Sequence, residues 1–326
     1  MDFLNKYHLL FTDFLLSNPM NRAPVNLYEP ADYILSLGGK RLRPVFVLIG
    51  CSLFDSKPEK ALKTAMAVEI FHNFTLLHDD IMDNAEIRRG KPSVHVKYNA
   101  NTAILTGDVM MIQAYQYLLD NEDPVLVKSL MDVFNKMAFE VCEGQQLDMD
   151  FESRDDVSID EYIKMITLKT SVLLAASIQL GAVIGGASTT DQNHLYEFAK
   201  NFGIAFQLQD DILDTFGEAS AVGKKIGGDI LQNKKTYLYL KALDLTDAEE
   251  NTKLKNFFSE NVTINDEDKI KEVTSIFRNV NVAEYANQVI EAYRDLALSH
   301  LMVCNISEQS RNKLSGLINN LIFRNS

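Results

Sequence analysis

Two segments of this chain carry the same cluster of aspartates, and each cluster follows an apolar run. Asp79, Asp80 and Asp83 lie in FTLLHDDIMD; the matching residues of GIAFQLQDDILD are Asp210, Asp211 and Asp214. If each run is helical, the outer two aspartates of a cluster lie one turn apart on one face. Carboxylates this close repel one another unless a cation separates them, and Mg²⁺ prefers oxygen ligands. We therefore expect the two acidic faces to oppose each other across a cavity, rather than to be two solvated surfaces.

The net charge of −13 argues against nucleic acid as a partner, because phosphate backbones bind basic surfaces. The three cysteines, Cys51, Cys142 and Cys304, are widely spaced and form no zinc or disulfide pattern. The N-terminal MDFLNKYHLL lacks the features of a signal peptide. These observations favour a cytoplasmic protein.

One uncharged stretch, 170–190, is long enough to cross a bilayer. It contains several serines and glycines and a glutamine, so a core helix that is buried on all sides is the preferred interpretation, and a membrane span is the alternative. All seven prolines fall at or before Pro124, and alternating strand patterns are missing. We therefore predict an all-α protein, with a single domain over 1–326.

Two capping boxes predict the helices that carry the later motifs. Ser158-x-x-Glu161 begins a helix that continues through Lys169, and Thr189-x-x-Gln192 begins one that ends near Asp214. The second aspartate cluster is therefore expected at the end of a long helix.

Cationic side chains accompany glycine or proline in several places. They are Lys40, Arg41 and Arg43 in GGKRLRP; Arg88, Arg89 and Lys91 in RRGKP; Lys169; and Lys224, Lys225, Lys234 and Lys235 in a glycine-containing loop. Arginine binds phosphate oxygens in a bidentate manner, whereas lysine acts as a point charge. Each cluster alone could be a solvated face, but tight turns near helix ends favour phosphate binding.

Together these segments resemble the trans-isoprenyl diphosphate synthases, the polyprenyl synthetase family. The matching segments follow the family's order: GGKRLRP at 38–44, FHNFTLLHDDIMD at 71–83, RRGKPSVH at 88–95, GD at 107–108, GQQLD at 144–148, KTS at 169–171, FQLQDDILD at 206–214 and GKKIGGDILQNKKT at 223–236. The one departure is Asn233, where the family usually has glycine.

The resemblance implies a bundle of long helices around a central cavity, the isoprenoid synthase fold. It also implies condensation of isopentenyl diphosphate with an allylic diphosphate (dimethylallyl, geranyl or farnesyl) in a homodimer, with about three Mg²⁺ ions per active site. The allylic C–O bond ionises, the alkene attacks the cation, and the departing diphosphate takes the proton.

The resemblance assigns roles to individual residues. The metal ligands are Asp79, Asp83 and Asp210, with Asp80 also catalytic. The allylic diphosphate is bound by Arg88, Lys169 and Lys234, with Lys224 nearby, while Thr170 and Gln207 place oxygens near the carbocation. Isopentenyl diphosphate is bound by Lys40, Arg43, His72 and Arg89.

Product length is expected to depend on the side chains about one helical turn before Asp79. These are Phe74 and Thr75, with Phe71 a turn further along. An aromatic residue at the fifth position before an uninterrupted DDxxD resembles short-chain synthases. Because Phe74 is aromatic but Thr75 is small, we expect geranylgeranyl diphosphate as the product, with farnesyl diphosphate as the alternative.

Three other functions remain open on sequence alone. A terpene cyclase or head-to-head synthase of the same helical class would use similar aspartates but generally lacks the GGKRLRP segment. A partner subunit of a heteromeric synthase would tend to lose one acidic motif. A non-catalytic helical interaction protein would need neither the acidic motifs nor the GGKRLRP segment.

Overall fold

The computed structural model describes residues 2–120, 123–217, 227–259 and 263–323. The first helices are α1 (Asp2–Ser17), α2 (Val25–Ser36), α3 (Leu42–Ser52), α4 (Leu62–Met82), α5 (Val94–Lys97), α6 (Ala100–Leu119) and α7 (Pro124–Glu152). A 3₁₀ turn at Pro58–Ala61 precedes α4. The short strands β1 (Ile87–Arg88) and β2 (Lys91–Pro92) pair as an antiparallel hairpin between α4 and α5.

The later helices complete an all-α architecture, which confirms the predicted class. They are α8 (Ile159–Ile166), α9 (Val172–Gly185), α10 (Thr189–Phe216), α11 (Gly228–Leu231), α12 (Tyr237–Leu245), α13 (Ala248–Phe257), α14 (Asp266–Asn279), α15 (Val282–Val303) and α16 (Glu308–Ile322). A π-helical turn, Thr167–Ser171, joins α8 to α9.

Two compact units can be distinguished in the chain. The first unit comprises Met1–Met137, Leu173–Tyr196 and Cys304–Ser310, and the second comprises Ala138–Val172, Glu197–Val303 and Arg311–Ser326. The single domain over 1–326 stays a prediction. Each unit is described below by its own contacts.

The helix starts follow the sequence closely. Ser158 forms the predicted capping box, since its hydroxyl accepts from the Glu161 amide at 3.2 Å and the Glu161 carboxylate accepts from the Ser158 amide at 2.9 Å. The box at Thr189 was misplaced by one residue. Ser188 is the residue whose hydroxyl accepts from the Asp191 amide, at 3.1 Å. Ser188 and Asp191 have the same spacing one position earlier, and the Ser188 hydroxyl satisfies an otherwise free amide at the helix start.

Most of the uncharged stretch forms α9, which from Leu173 onward belongs to the first unit. Among the described residues, Ile159–Gly185 is the one helical segment long and apolar enough to cross a membrane, and 61% of its most apolar window is buried inside the protein. Glycines let α9 approach the backbone of α3. A Cβ on Gly181 would lie 2.0 Å from the Val47 carbonyl oxygen, and one on Gly50 would lie 2.2 Å from that of Ile178. The preferred interpretation, a buried helix, is confirmed.

This close approach generates a stability prediction. Gly50→Ala should lower the free energy of unfolding by about 1–3 kcal/mol, because the methyl group overlaps a backbone carbonyl that cannot rotate away. Urea denaturation measures the change. The matched control is Gly316→Ala in α16, where no atom lies within 4 Å of the added Cβ. Helix propensity predicts that this control gains about 0.5–1 kcal/mol. Equal stability of the two variants would contradict the packing described for α3 and α9.

Candidate active site

The first aspartate cluster lies at the C-terminal end of α4, in the first unit. The helix stops in a Schellman-type turn, with Asn84 at φ 50° and the Ala85 amide donating to the Asp80 carbonyl at 2.9 Å. Asp79 and Asp83 are half-buried there. A helix C-terminus carries partial negative charge, so carboxylates at this end are unfavourable unless a cation is bound.

The middle aspartate of this cluster does not share that face. Asp80 is 1% exposed, and the Nε atom of Arg88 donates to its carboxylate at 2.8 Å. Burial raises the pKa of Asp80, and the Arg88 guanidinium opposes that rise. The same guanidinium lies 3.8 Å from the Asp79 carboxylate. Asp80 is therefore turned away from the face that carries Asp79 and Asp83, and it holds the Arg88 guanidinium beside them.

The second cluster lies near the C-terminal end of α10, in the second unit, and also buries its middle aspartate. Asp211 is 3% exposed and accepts from the Tyr162 hydroxyl and, at 3.1 Å, from the Gln207 amide. Burial, followed by the negative charge of Asp229, raises the pKa of Asp211 well above its ordinary value. The Asp214 carboxylate accepts from the Asp229 amide at 3.0 Å and so anchors the start of α11. Asp210 remains half-buried.

A cavity of about 100 Å³ in the second unit brings four of the predicted residues together: Lys169, Thr170, Gln207 and Lys234. Thr170 donates to the Gln207 side chain at 3.4 Å, while the other end of that amide binds Asp211. The Lys169 ammonium pairs with Asp148 at 2.5 Å. The cavity therefore combines three lysines, Lys169, Lys234 and Lys235, with the side-chain oxygens of Thr170 and Gln207.

The sequence predicted a regular α-helix through Lys169. In the structure, Lys169 and Thr170 lie instead in the π-helical turn. The turn packs closely on α7, where a Cβ on Gly144 would lie 2.2 Å from the Lys169 amide nitrogen. π-helical turns within helices are often found at functional sites, because they change the direction of the side chains that follow. Neither capping nor periodicity signals such a turn.

The first unit also holds a group of cations around His72, of which Arg43 is half-buried and Arg89 is exposed. Arg43 donates to the His72 Nε2 atom at 3.2 Å, so the ring is a neutral acceptor. Burial, and then the charge of Arg43, lower the pKa of His72 well below its ordinary value. Burial also lowers the pKa of Arg43 to about 10. Cations crowded in this way are relieved by a bound anion, such as a diphosphate.

The neighbouring cations of GGKRLRP are divided between two environments. Arg41 turns inward at φ 48°, is 9% exposed and pairs with the buried Glu69. Lys40 stays exposed. Arg41 is therefore the structural cation of this segment, in agreement with its omission from the predicted substrate contacts.

The hairpin separates the two adjacent arginines. Arg88 is on β1 and contacts Asp80, whereas Arg89, at φ 52°, donates to the Gly38 carbonyl and lies against Gly39. Positive φ at both Arg89 and Gly90 is the geometry of a tight two-residue hairpin turn. Arg89 thereby joins the cations near His72, and Arg88 joins the aspartates.

A row of aromatic rings lies on α4 one to two turns before its aspartates. The rings of Phe71 and Phe74 are 5.5 Å apart, and Phe71 meets Phe134 of α7 at 5.2 Å. Phe71 is 1% exposed, whereas Phe74 and Thr75 are half-buried. The hydroxyl of Thr75 donates to the His72 carbonyl. Phe74 is therefore the accessible member of the row, and Phe71 supports it from behind.

The first unit thus holds two groups of predicted site residues, the aspartates with Arg88 and the cations near His72, and the second unit holds the cavity group. Lys224 lies outside the described residues. The opposition of the two aspartate clusters stays a prediction. Three partners were missed by the sequence reasoning: Glu69, Tyr162 and Asp148. Asp148 belongs to the GQQLD segment, which could have indicated it. The other two act through tertiary contacts that leave no local pattern.

The donor set fits Mg²⁺. Carboxylate oxygens of Asp79 and Asp83 lie at one helix end, and hard oxygen donors suit this ion. Within the described ranges, no group of three His, Cys, Asp or Glu side chains forms a ready-made metal site. Mg²⁺ commonly takes one or two carboxylates and completes its shell with water and substrate phosphates.

The buried pair of Asp80 and Arg88 generates a prediction. Arg88→Met should lower the free energy of unfolding by about 3–5 kcal/mol, because it leaves a buried carboxylate without its cation. Adding Asp80→Asn should recover most of the loss. Denaturant titration measures both variants, and Lys91→Met on the exposed face of the same hairpin is the control. Failure of Asp80→Asn to recover stability would contradict the pairing.

Comparison with known proteins places these features in one family. The polyprenyl synthetase model matches residues 24–277. The short chain isoprenyl diphosphate synthase of Methanothermobacter thermautotrophicus is 35% identical over 308 residues, 94% of each chain. A crystal structure of a geranylgeranyl pyrophosphate synthase is 44% identical, with a TM-score of 0.94 and 99% of each chain covered.

A third relative was solved with ligands. The geranylgeranyl pyrophosphate synthase of Corynebacterium glutamicum, complexed with isoprenyl diphosphate and magnesium, is 27% identical, with a TM-score of 0.85, and covers 99% of this chain and 96% of its own. These likenesses confirm the predicted isoprenoid synthase fold. The chain belongs to the polyprenyl synthetase family.

Proposed function

We propose that the protein is a Mg²⁺-dependent prenyltransferase that joins isopentenyl diphosphate head to tail to an allylic diphosphate and forms geranylgeranyl diphosphate. The observation that carries this proposal is the hairpin that assigns Arg88 to the aspartates and Arg89 to a separate cationic group. Two distinct diphosphate-binding groups are what a condensation of two diphosphates requires. The names of the relatives support the same reaction and product.

The allylic diphosphate is assigned to the aspartates and the cavity lysines. Asp79, Asp83 and Asp210 would hold Mg²⁺, which, when bound, neutralises the charge that develops on the leaving diphosphate. Arg88, Lys169 and Lys234 bind the phosphate oxygens, and Asp80 orients Arg88. Lys224, outside the described residues, is assigned to the same phosphates.

Isopentenyl diphosphate is assigned to Lys40, Arg43, His72 and Arg89. His72 is neutral and fixes Arg43 through its acceptor nitrogen. The guanidinium groups of Arg43 and Arg89 bind the diphosphate. In the condensation, the allylic C–O bond breaks, the alkene forms the new C–C bond, and the proton lost passes to the departing diphosphate. Thr170 and Gln207 place oxygens near the cation, and exclusion of water protects it.

A cytoplasmic homodimer is proposed as the working form. Exposed apolar side chains on α6 of the first unit support self-association: Ile104, Leu105 and Ile112 are 43%, 59% and 65% exposed. A terpene cyclase of the same fold and a partner subunit of a heteromeric synthase are the competing functions. Both are separated from the proposal by the assay that follows.

Purified protein with Mg²⁺ and farnesyl diphosphate should incorporate labelled isopentenyl diphosphate into geranylgeranyl diphosphate. Asp79→Asn should lower kcat/KM by about a hundredfold, because transition-state charge loses its compensation, and chelation of Mg²⁺ should abolish turnover. Asp132→Asn on the exposed face of α7 is the control. A product without label would favour a cyclase, and activity that appears only with a second polypeptide would favour a partner subunit.

Product length gives a second prediction. Phe74→Ala should lengthen the product, because it removes the accessible ring of the aromatic row and leaves room for another isoprene unit. Chromatography of the dephosphorylated products measures the shift. Phe139→Ala, whose ring is 70% exposed, is the control and should leave the product unchanged. An unchanged product from Phe74→Ala would refute its role in setting length.

A further inference from the structure

The segment that presents Lys234 to the cavity begins with a left-handed residue. Asn233 follows α11 at φ 57°, a backbone conformation that asparagine tolerates better than most side chains. The Lys234 amide then donates to the Asp229 carbonyl at 3.0 Å, and the Thr236 amide donates to the Lys234 carbonyl at 2.9 Å. These bonds set the backbone of Lys234, but they leave the side chain of Asn233 to be fixed by something else.

A buried lysine on α14 supplies that contact. Lys269 is 5% exposed, and its ammonium donates to the Asn233 side-chain oxygen at 2.5 Å. It also lies over the Phe258 ring, 5.6 Å from the centroid. Burial lowers the pKa of Lys269, and the carboxylate of Asp266 opposes the change. A buried ammonium is costly unless it is hydrogen-bonded, so this bond to Asn233 is strongly favoured.

The same turn of α14 also supports the beginning of the segment. A Cβ on Gly227, which has φ 80°, would lie 2.7 Å from the Ile270 side chain. Lys269 and Ile270 are therefore adjacent contacts for the two ends of a short piece of chain, 227–233. Helix α14 therefore packs against both ends of the segment that precedes Lys234.

We propose that Lys269 is a positioning residue for the allylic diphosphate: through Asn233 it holds the segment that directs Lys234 into the cavity. This inference rests on the proposed function of Lys234. It assigns Lys269 no contact with the substrate. Loss of the Lys269–Asn233 hydrogen bond leaves the fold intact, but the ammonium group of Lys234 is then no longer held in one position.

A double-mutant cycle tests the proposal in the full-length protein. Lys269→Met removes the ammonium at similar side-chain length, and Asn233→Gly removes the acceptor while permitting the same positive φ. Each should lower kcat/KM for farnesyl diphosphate by about tenfold, the scale of a hydrogen bond to a charged group, and the double variant should be no worse than the poorer single variant. The KM for isopentenyl diphosphate should not change, because its assigned residues are in the first unit.

Two further variants serve as controls. Lys271→Met, exposed on the same helix, should have no effect, and Lys269→Arg should retain part of the activity. If Lys269→Met does not fold, as judged by its thermal unfolding, Asn233→Gly and Lys269→Arg still test the contact. Losses that multiply in the double variant, or equal changes for both substrates, would overturn the inference.

Lys234→Ala separates this inference from the proposed function. If Lys234→Ala lowers kcat/KM for farnesyl diphosphate but Lys269→Met does not, the role of Lys269 is refuted and that of Lys234 stands. If Lys234→Ala has no effect, Lys234 does not bind the diphosphate, and both proposals for this segment fall.

Discussion

The proposed chemistry depends on carboxylates that lie at the C-terminal, partially negative ends of two helices. Asp83 and Asp214 lie in or beside the final turns of α4 and α10, where free carbonyls already carry partial negative charge. Each unit reduces the resulting repulsion by burying the middle aspartate against a donor of its own. The outer carboxylates stay accessible, and a divalent cation is the natural species to offset their charge.

The two aspartate clusters read alike but differ in their electrostatics. Asp80 is paired with a cation, and Arg88 opposes the rise in its pKa caused by burial. Asp211 is bound by neutral donors, Tyr162 and Gln207, and its pKa is raised by burial and then by the nearby Asp229 carboxylate, with no cation among its hydrogen-bonding partners in the described residues. The first cluster therefore has a guanidinium paired within it, whereas the second is linked through Gln207 to the Thr170 hydroxyl at the cavity.

A short hairpin in the first unit and a π-helical turn in the second each set the direction of predicted site residues within their own unit. The hairpin sends Arg88 and Arg89 to different groups, although they are neighbours in the chain. The π-helical turn presents Lys169 and Thr170 at the cavity, where Gly144 allows α7 to approach its backbone. Both devices are local departures from regular helix. Such departures change the direction of side chains that a regular helix would point elsewhere.

The sequence by itself determined the helical class, the acidic faces, the cationic segments and the family, because periodicity, capping and motif spacing are local properties. Ser158 forms its predicted capping box, and the cap predicted at Thr189 lies one residue earlier, at Ser188. Only the tertiary structure decided that Asp80 and Asp211 are buried, that Arg41 pairs with Glu69, and that Lys269 holds Asn233. These assignments depend on side chains far apart in the chain, whose burial and pairing are settled by packing, and no local pattern encodes them.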